Sequence, residues 1–246
     1  LSSEPDKFVC ERDPNASGIG IIGGTFDPVH YGHLEIAREM RSRFSLDRVI
    51  FMPAPSPPHK DTCEISAFEH RYAMVACAIR TDKDFSVSDL EAQRSGRSYT
   101  VDTLERLHAI YPETGFYFLM GMDSFTNLTS WKEYPRLFEL SNIVVAQRPG
   151  LPECTRAQEL PVALRSLFCY DAARSSFIYT DNNKQVSVNN QMAQHSEHGR
   201  LYFLHETRAD ISSTEIRQRV REHRSIADFV PEAVRKYITQ HELYQT

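Results

Sequence analysis

Nowhere in the 246 residues does an uninterrupted apolar run approach the roughly 20 residues that cross a bilayer. The first residues also lack the apolar core of a secretory signal. The expectation is a cytoplasmic protein with no membrane partner. Positive charge is not in excess: 28 Lys and Arg stand against 33 Asp and Glu, a formal net charge of -5. That argues against a nucleic-acid-binding surface and leaves room only for a local basic pocket. Cysteine is sparse and unpatterned. Cys10, Cys63, Cys77, Cys154 and Cys169 are odd in number and form no C-x-x-C pair, so reduced thiols are expected rather than a disulfide framework. Neither G-x-G-x-x-G nor a P-loop lysine motif occurs, which counts against a dinucleotide oxidoreductase and a P-loop NTPase.

What is present reads as a globular enzyme. Hydrophobic residues make up 41% and charged residues 25%, enough to bury a core. Residues 1–17 are polar and read as a loose leader. From Gly18 onward, short apolar runs alternate with helical patterns. Strands are expected at 18–22, 49–52, 85–87, 116–120, 143–146 and 201–204, and helices at 31–43, 66–80, 100–110, 131–140, 212–223 and 231–241. This alternation predicts an α/β fold: a doubly wound, Rossmann-like, mostly parallel sheet with helices on both faces and a helical C-terminal end. One domain over 18–246 is expected. Polar residues such as Asp181-Asn182-Asn183 and Asn189-Asn190-Gln191 mark an insertion at about 170–199.

The richest segment is Gly23-Gly24-Thr25-Phe26-Asp27-Pro28-Val29-His30-Tyr31-Gly32-His33. It leaves a strand and enters a helix, where open parallel sheets bind ligands. Glycines admit a phosphate to the backbone, and the helix start offers unpaired N–H groups and a positive dipole end. His30 and His33 lie three residues apart on the first turn, so both rings can serve one ligand. A zinc pair or two solvated histidines is the plainer reading of a lone H-x-x-H; the flanking glycines and the strand-to-helix context count against it. The segment resembles the signature of the H-x-G-H nucleotidyltransferase superfamily. Its longer form, G-G-T-F-D-P-V-H-x-G-H, resembles the bacterial-type nicotinate mononucleotide adenylyltransferase branch.

A second segment, Ile211-Ser212-Ser213-Thr214-Glu215-Ile216-Arg217, carries a helix-capping pattern. Alone it reads as an ordinary capped surface helix. It also resembles the I-S-S-T-x-I-R signature at the C-terminal end of the same superfamily. Three further segments resemble the nicotinate branch: Pro57-Pro58-His59-Lys60, Ser98-Tyr99-Thr100-Val101-Asp102-Thr103-Leu104, and Gly121-Met122-Asp123-Ser124 followed by Trp131-Lys132. The branch more often has G-A-D-N at the third, so Met122 and Ser124 depart from it. Arg148 resembles the branch's arginine after the fifth strand.

The resemblance implies transfer of the adenylyl group of ATP to nicotinate mononucleotide, giving nicotinate adenine dinucleotide and pyrophosphate in NAD biosynthesis. It implies catalytic roles for His30, His33 and Arg217. ATP would be held by Gly23, Gly24, Thr25, Phe26, His30, His33, Gly121, Asp123, Ile211, Ser212, Ser213, Thr214 and Arg217. The acceptor would be held by Lys60, Tyr99, Thr100, Trp131, Lys132 and Arg148. Mg2+ is expected with ATP and few or no protein ligands. For Trp131, stacking on the pyridine ring and plain core packing are both open, as is a homo-oligomer. The rival readings are a sister enzyme with nicotinamide mononucleotide or phosphopantetheine as acceptor, a non-catalytic nucleotide sensor, and a metal-binding protein using His30, His33, His195 and His198.

Overall fold

A computed structural model describes residues 18–55, 65–147 apart from 95 and 97, 156–180 apart from 174, 199–205 and 211–245. The leader and residues 181–198 of the expected insertion lie outside these.

Eight strands form one sheet: β1 (Ile19–Gly24), β2 (Arg48–Pro53), β3 (Phe85–Val87), β4 (Phe116–Gly121), β5 (Asn142–Gln147), β6 (Phe168–Asp171), β7 (Ser176–Tyr179) and β8 (Arg200–His205). Their spatial order is β3-β2-β1-β4-β5-β8-β7-β6. The six strands from β3 to β8 in that order pair in parallel, and β7 and β6 add an antiparallel edge. The helices are α1 (Tyr31–Arg43), α2 (Phe68–Ile79), α3 (Thr100–Ile110), α4 (Met122–Thr126), α5 (Tyr134–Leu140), α6 (Ser213–Arg221) and α7 (Glu232–Gln240).

Successive strand residues point to opposite faces, and the core divides accordingly. Ile22, Phe51, Leu119, Val144 and Leu204 join the apolar sides of α1, α2, α6 and α7 in one cluster. Ile21, Met52, Met120, Val145 and Leu201 join α3, α5 and Phe125 of α4 in the other. Helices therefore cover both faces, as a parallel sheet requires. At Gly20 the helix layer comes very close: a Cβ there would stand 2.5 Å from Met40 and 3.2 Å from Val49.

The hairpin β6–β7 falls in the region where the sequence offered least. It is held by aromatic packing that four-residue strands do not advertise. Tyr179 stacks on Phe138 of α5 with ring centroids 4.6 Å apart, and Phe168 meets the same ring at 5.2 Å. Arg200 of β8 donates to Asp171 and Ser176 at 2.8 and 2.9 Å, tying the hairpin to its neighbour.

Candidate active site

The chain runs outward from β1 to β2 and β3, then returns to place β4 on the other side of β1. This reversal opens a crevice beyond the C-terminal ends of β1 and β4, the place where such sheets take ligands. The register Ile22↔Leu119 puts the ends of the two strands level. Gly23 and Gly121, one at each strand end, are exposed there.

The loop from Thr25 to Val29 carries the chain from β1 into α1. Phe26 takes a left-handed backbone, with φ 53°. Its ring is buried, 5.0 Å from His33 edge-on and 5.8 Å from Phe51. The Phe26 ring thus packs as a wedge beneath a histidine. Gly24 leaves room for it: a Cβ would meet the Phe26 ring at 3.0 Å.

His30 caps α1 in an extended conformation (φ -144°, ψ 172°). The two histidine rings stack, centroids 3.7 Å apart at 28°. The His30 backbone N–H donates to His33 Nδ1 at 3.2 Å. A ring nitrogen that accepts carries no proton, so the proton of neutral His33 sits on Nε2, as a donor. His30 is only 7% exposed, and burial pulls its pKa down to about 4. It is therefore neutral at pH 7, and its Nδ1 is buried without a partner among the described residues.

The second motif docks directly on this loop. Ser212 caps α6, accepting from the Glu215 N–H at 3.2 Å. The Glu215 carboxylate accepts from Arg219 at 2.9 Å, so the expected capping box closes on one side only. Ser213 Oγ donates to the Pro28 carbonyl at 3.0 Å. Arg217 donates through Nη1 to the Asp27 carbonyl at 2.8 Å and through Nη2 to Thr214 Oγ1 at 3.5 Å. Its Nε is buried without a partner among the described residues. Ile211 is buried ahead of the cap and fixes the approach of the helix.

Three residues missing from the expected set hold this loop in place: Arg71, Tyr244 and Asp27, the last a member of the loop itself. Arg71 of α2 is 1% exposed. It donates to the carbonyls of Ser66, Thr25 and Pro55 at 2.9, 2.8 and 3.2 Å. Asp27 is also buried, and accepts from Tyr244 at 2.6 Å and from the Ser66 N–H at 3.3 Å. Burial and the Asp27 carboxylate push the Tyr244 hydroxyl well above the usual tyrosine range, so it stays protonated and donates. One signal for Arg71 was available in the sequence. It shares the buried stripe of α2 with Met74, Val75 and Ile79, and a cation on an apolar helix face calls for partners.

Across the crevice, α4 starts directly at the end of β4 and places Asp123, exposed, in its first turn. Tyr99 precedes α3 and Thr100 opens it. Lys132 is engaged: it donates to Asp102 at 2.8 Å and lies 5.0 Å from the centre of the Tyr99 ring. Hydrogen bonds from Lys132 and Arg94 hold the Asp102 carboxyl below its ordinary range. Trp131 is half-buried and edge-on to Phe118 at 6.4 Å, so it packs on the core with part of its ring still accessible. Lys60, Arg148, His195 and His198 lie outside the described residues. Among the described residues no group of three or more His, Cys, Asp or Glu side chains gathers as a metal cluster, and no helix is long and apolar enough to cross a membrane.

Residues 21–219 match the cytidylyltransferase-like family model. A protein of Syntrophotalea carbinolica carrying the name "probable nicotinate-nucleotide adenylyltransferase" is 47% identical over 93% of this chain and 97% of its own. One of Geotalea daltonii with the same name is 43% identical over 92% and 97%. Among solved structures, a Plasmodium falciparum nicotinic acid mononucleotide adenylyltransferase complexed with NaAD superposes with a TM-score of 0.63 at 19% identity, covering 93% of this chain and 98% of its own.

Proposed function

The chain belongs to the cytidylyltransferase-like family and groups there with the nicotinate-nucleotide adenylyltransferases, and on that premise we propose that it transfers the adenylyl group of ATP to nicotinate mononucleotide. A phosphate oxygen of the mononucleotide attacks the α-phosphorus of ATP. The bond from that phosphorus to the oxygen bridging the β-phosphorus breaks, and pyrophosphate leaves. The products are nicotinate adenine dinucleotide and pyrophosphate, a step of NAD biosynthesis that we place in the cytoplasm.

The observation that carries this reading is the stacked pair His30 and His33 at the start of α1, in the crevice between β1 and β4. The attacking phosphate is already anionic, so no side-chain nucleophile is required. What the reaction needs is two anions brought together and the growing charge stabilised. His33 presents a ring N–H at the positive end of the α1 dipole, while the backbone N–H groups of His30, Tyr31 and His33 are already engaged within the protein. His30 is neutral and buried with an unsatisfied nitrogen. Leaving a buried polar atom unpaired costs about 1–3 kcal/mol, a cost that a bound phosphate oxygen relieves. Arg217, Ser213 and Thr214 hold the loop and the leaving pyrophosphate. Gly121 and Asp123 receive the adenosine from the β4 side, and Tyr99, Thr100, Trp131 and Lys132 receive the acceptor together with Lys60 and Arg148.

The side chains around the histidine pair, Ser213, Thr214 and Arg217, are donors that suit anionic oxygens. Magnesium belongs to this reading as part of the nucleotide substrate, held by triphosphate oxygens, where it neutralises charge. The reading is tested by incubating the protein with ATP, magnesium and nicotinate mononucleotide and identifying the products by mass. Nicotinate adenine dinucleotide with equimolar pyrophosphate is expected. ATP binding without either product points instead to a nucleotide sensor.

A further inference from the structure

Glu91 lies in the turn after β3 and reaches two points of the chain beyond it. Its carboxylate accepts from the Thr103 hydroxyl at 2.9 Å, and its backbone carbonyl accepts from the Ser98 hydroxyl at 3.4 Å. Thr103, in the first turn of α3, passes this hold on. Its N–H and its hydroxyl both point to the Tyr99 carbonyl, at 3.1 and 3.2 Å. A threonine hydroxyl has one proton to donate, and the shorter of its two contacts is the one to Glu91. Ser98 and Thr103 bracket Tyr99 and Thr100, two of the residues proposed to receive the acceptor. One glutamate therefore holds that stretch from both ends.

Glu91 is itself tied to the sheet. Leu90, the residue before it, is buried in the core cluster with Met52 and Val101. The Leu90 N–H donates to the Ser88 hydroxyl at 3.2 Å, and the Ser88 N–H donates to the Phe51 carbonyl of β2 at 2.9 Å. Burial raises the pKa of the Glu91 carboxyl, while the Thr103 hydrogen bond and the Arg94 charge oppose that rise. An acidic group placed there gives up hydration and depends on its partners.

The body of α3 has other anchors. Val101, Leu104 and Leu107 bury one side of the helix in the core, and Arg94 joins the turn after β3 to Asp102 through a partly exposed ion pair. These contacts begin at Val101. Ahead of it, Tyr99 is exposed and Thr100 half-buried, so the core does little to fix them. Lys132 lies over the Tyr99 ring, a contact to the side chain and not to the backbone that Glu91 and Thr103 hold. Loss of the Glu91 carboxylate should therefore loosen the start of α3 and leave the rest of the helix in place.

We propose that Glu91 is a positioning residue: acting through Ser98 and Thr103, it sets Tyr99 and Thr100 in place for the acceptor mononucleotide. The inference rests on the reaction proposed above, with the start of α3 on the acceptor side. Glu91 acts through its two hydrogen-bond partners and not by contact with the mononucleotide. A side chain that merely supported the fold would lower stability and affect both substrates alike.

The test is steady-state kinetics of the full chain, with ATP and nicotinate mononucleotide varied in turn and folding checked by circular dichroism. For Glu91→Leu, which keeps bulk but removes the acceptor oxygens, KM for the mononucleotide should rise about fivefold or more while KM for ATP stays within about twofold. Glu91→Gln keeps one side-chain oxygen for Thr103 and should return the mononucleotide KM to within about twofold of wild type. Thr103→Val removes the same hydrogen bond from the other side and should reproduce the Glu91→Leu split. Should Glu91→Leu fail to fold, Thr103→Val decides. Equal effects on both substrates, no effect on either, or a Glu91→Gln variant as impaired as Glu91→Leu overturns the proposal. A wild-type enzyme inactive with nicotinate mononucleotide overturns the reaction itself, which is a different result from an active wild type beside variants showing no split.

Discussion

Arg217 donates to the carbonyl of Asp27 at 2.8 Å across 190 residues of chain. Ser213 makes a parallel contact to the next carbonyl, that of Pro28. The two most informative motifs in the sequence are therefore the two halves of one site, and the second braces the loop that delivers the histidines. Arg217→Lys should lose the fork that reaches Asp27 and Thr214 together. Turnover is expected to fall about 100-fold, and Ser213→Ala, which removes a single neutral hydrogen bond worth about 1 kcal/mol, should fall much less. Comparable loss in the two variants would show that bracing of the loop, rather than the arginine's fork, carries the effect.

His33 presents its ring proton on Nε2 because Nδ1 accepts from the backbone of His30. His33→Ala should cut turnover about 100-fold or more and lower the melting temperature only modestly. Stopped-time assays of pyrophosphate on a variant verified as folded check this. Near-wild-type turnover would remove His33 from the chemistry.

His30 has a pKa of about 4 when folded against 6.5 for the free side chain. Between these values the unfolded chain binds the extra proton, so stability rises with pH through that window and is lost as pH falls through it. From pH 7 to pH 5 the loss attributable to this group is about 2 kcal/mol. Denaturant titrations at the two pH values should show a smaller acid loss for His30→Gln than for wild type. An equal loss would mean that His30 stays solvated.

Asp102 gathers Lys132 and Arg94 beside Tyr99. Asp102→Asn removes the charge that holds them, and the acceptor's KM should rise severalfold, about three- to tenfold, with KM for ATP little changed. An ATP effect as large as the acceptor effect would place this cluster elsewhere in the reaction. The pairs are partly exposed, so both wild-type contacts should weaken with added salt.

Much of this was legible from residue order. Continuous apolar runs such as Ile143-Val144-Val145, alternating with helical stripes like that of α1, pointed to the parallel sheet, because its strands are buried on both faces. The pairing of His30 with His33 followed from helical spacing. What was hidden depended on distance in space. Tyr244 lies 217 residues from Asp27, and nothing local marks a tyrosine near a chain end as the partner of a buried carboxylate. Lys132 read as a candidate for the acceptor, yet its partner Asp102 is 30 residues away. Arg71 stood on an apolar stripe and was the one missed residue with a local signal. The β6–β7 hairpin was obscured because its strands are four residues long and sit among polar residues.

The central claim, adenylyl transfer to nicotinate mononucleotide, is tested most directly by measuring pyrophosphate release with ATP and magnesium, nicotinate and nicotinamide mononucleotides side by side. The account predicts rapid release with the nicotinate form and a clear preference for it over the amide. Preference for the amide would contradict the acceptor assignment while keeping the chemistry, and no release with either would contradict the reaction.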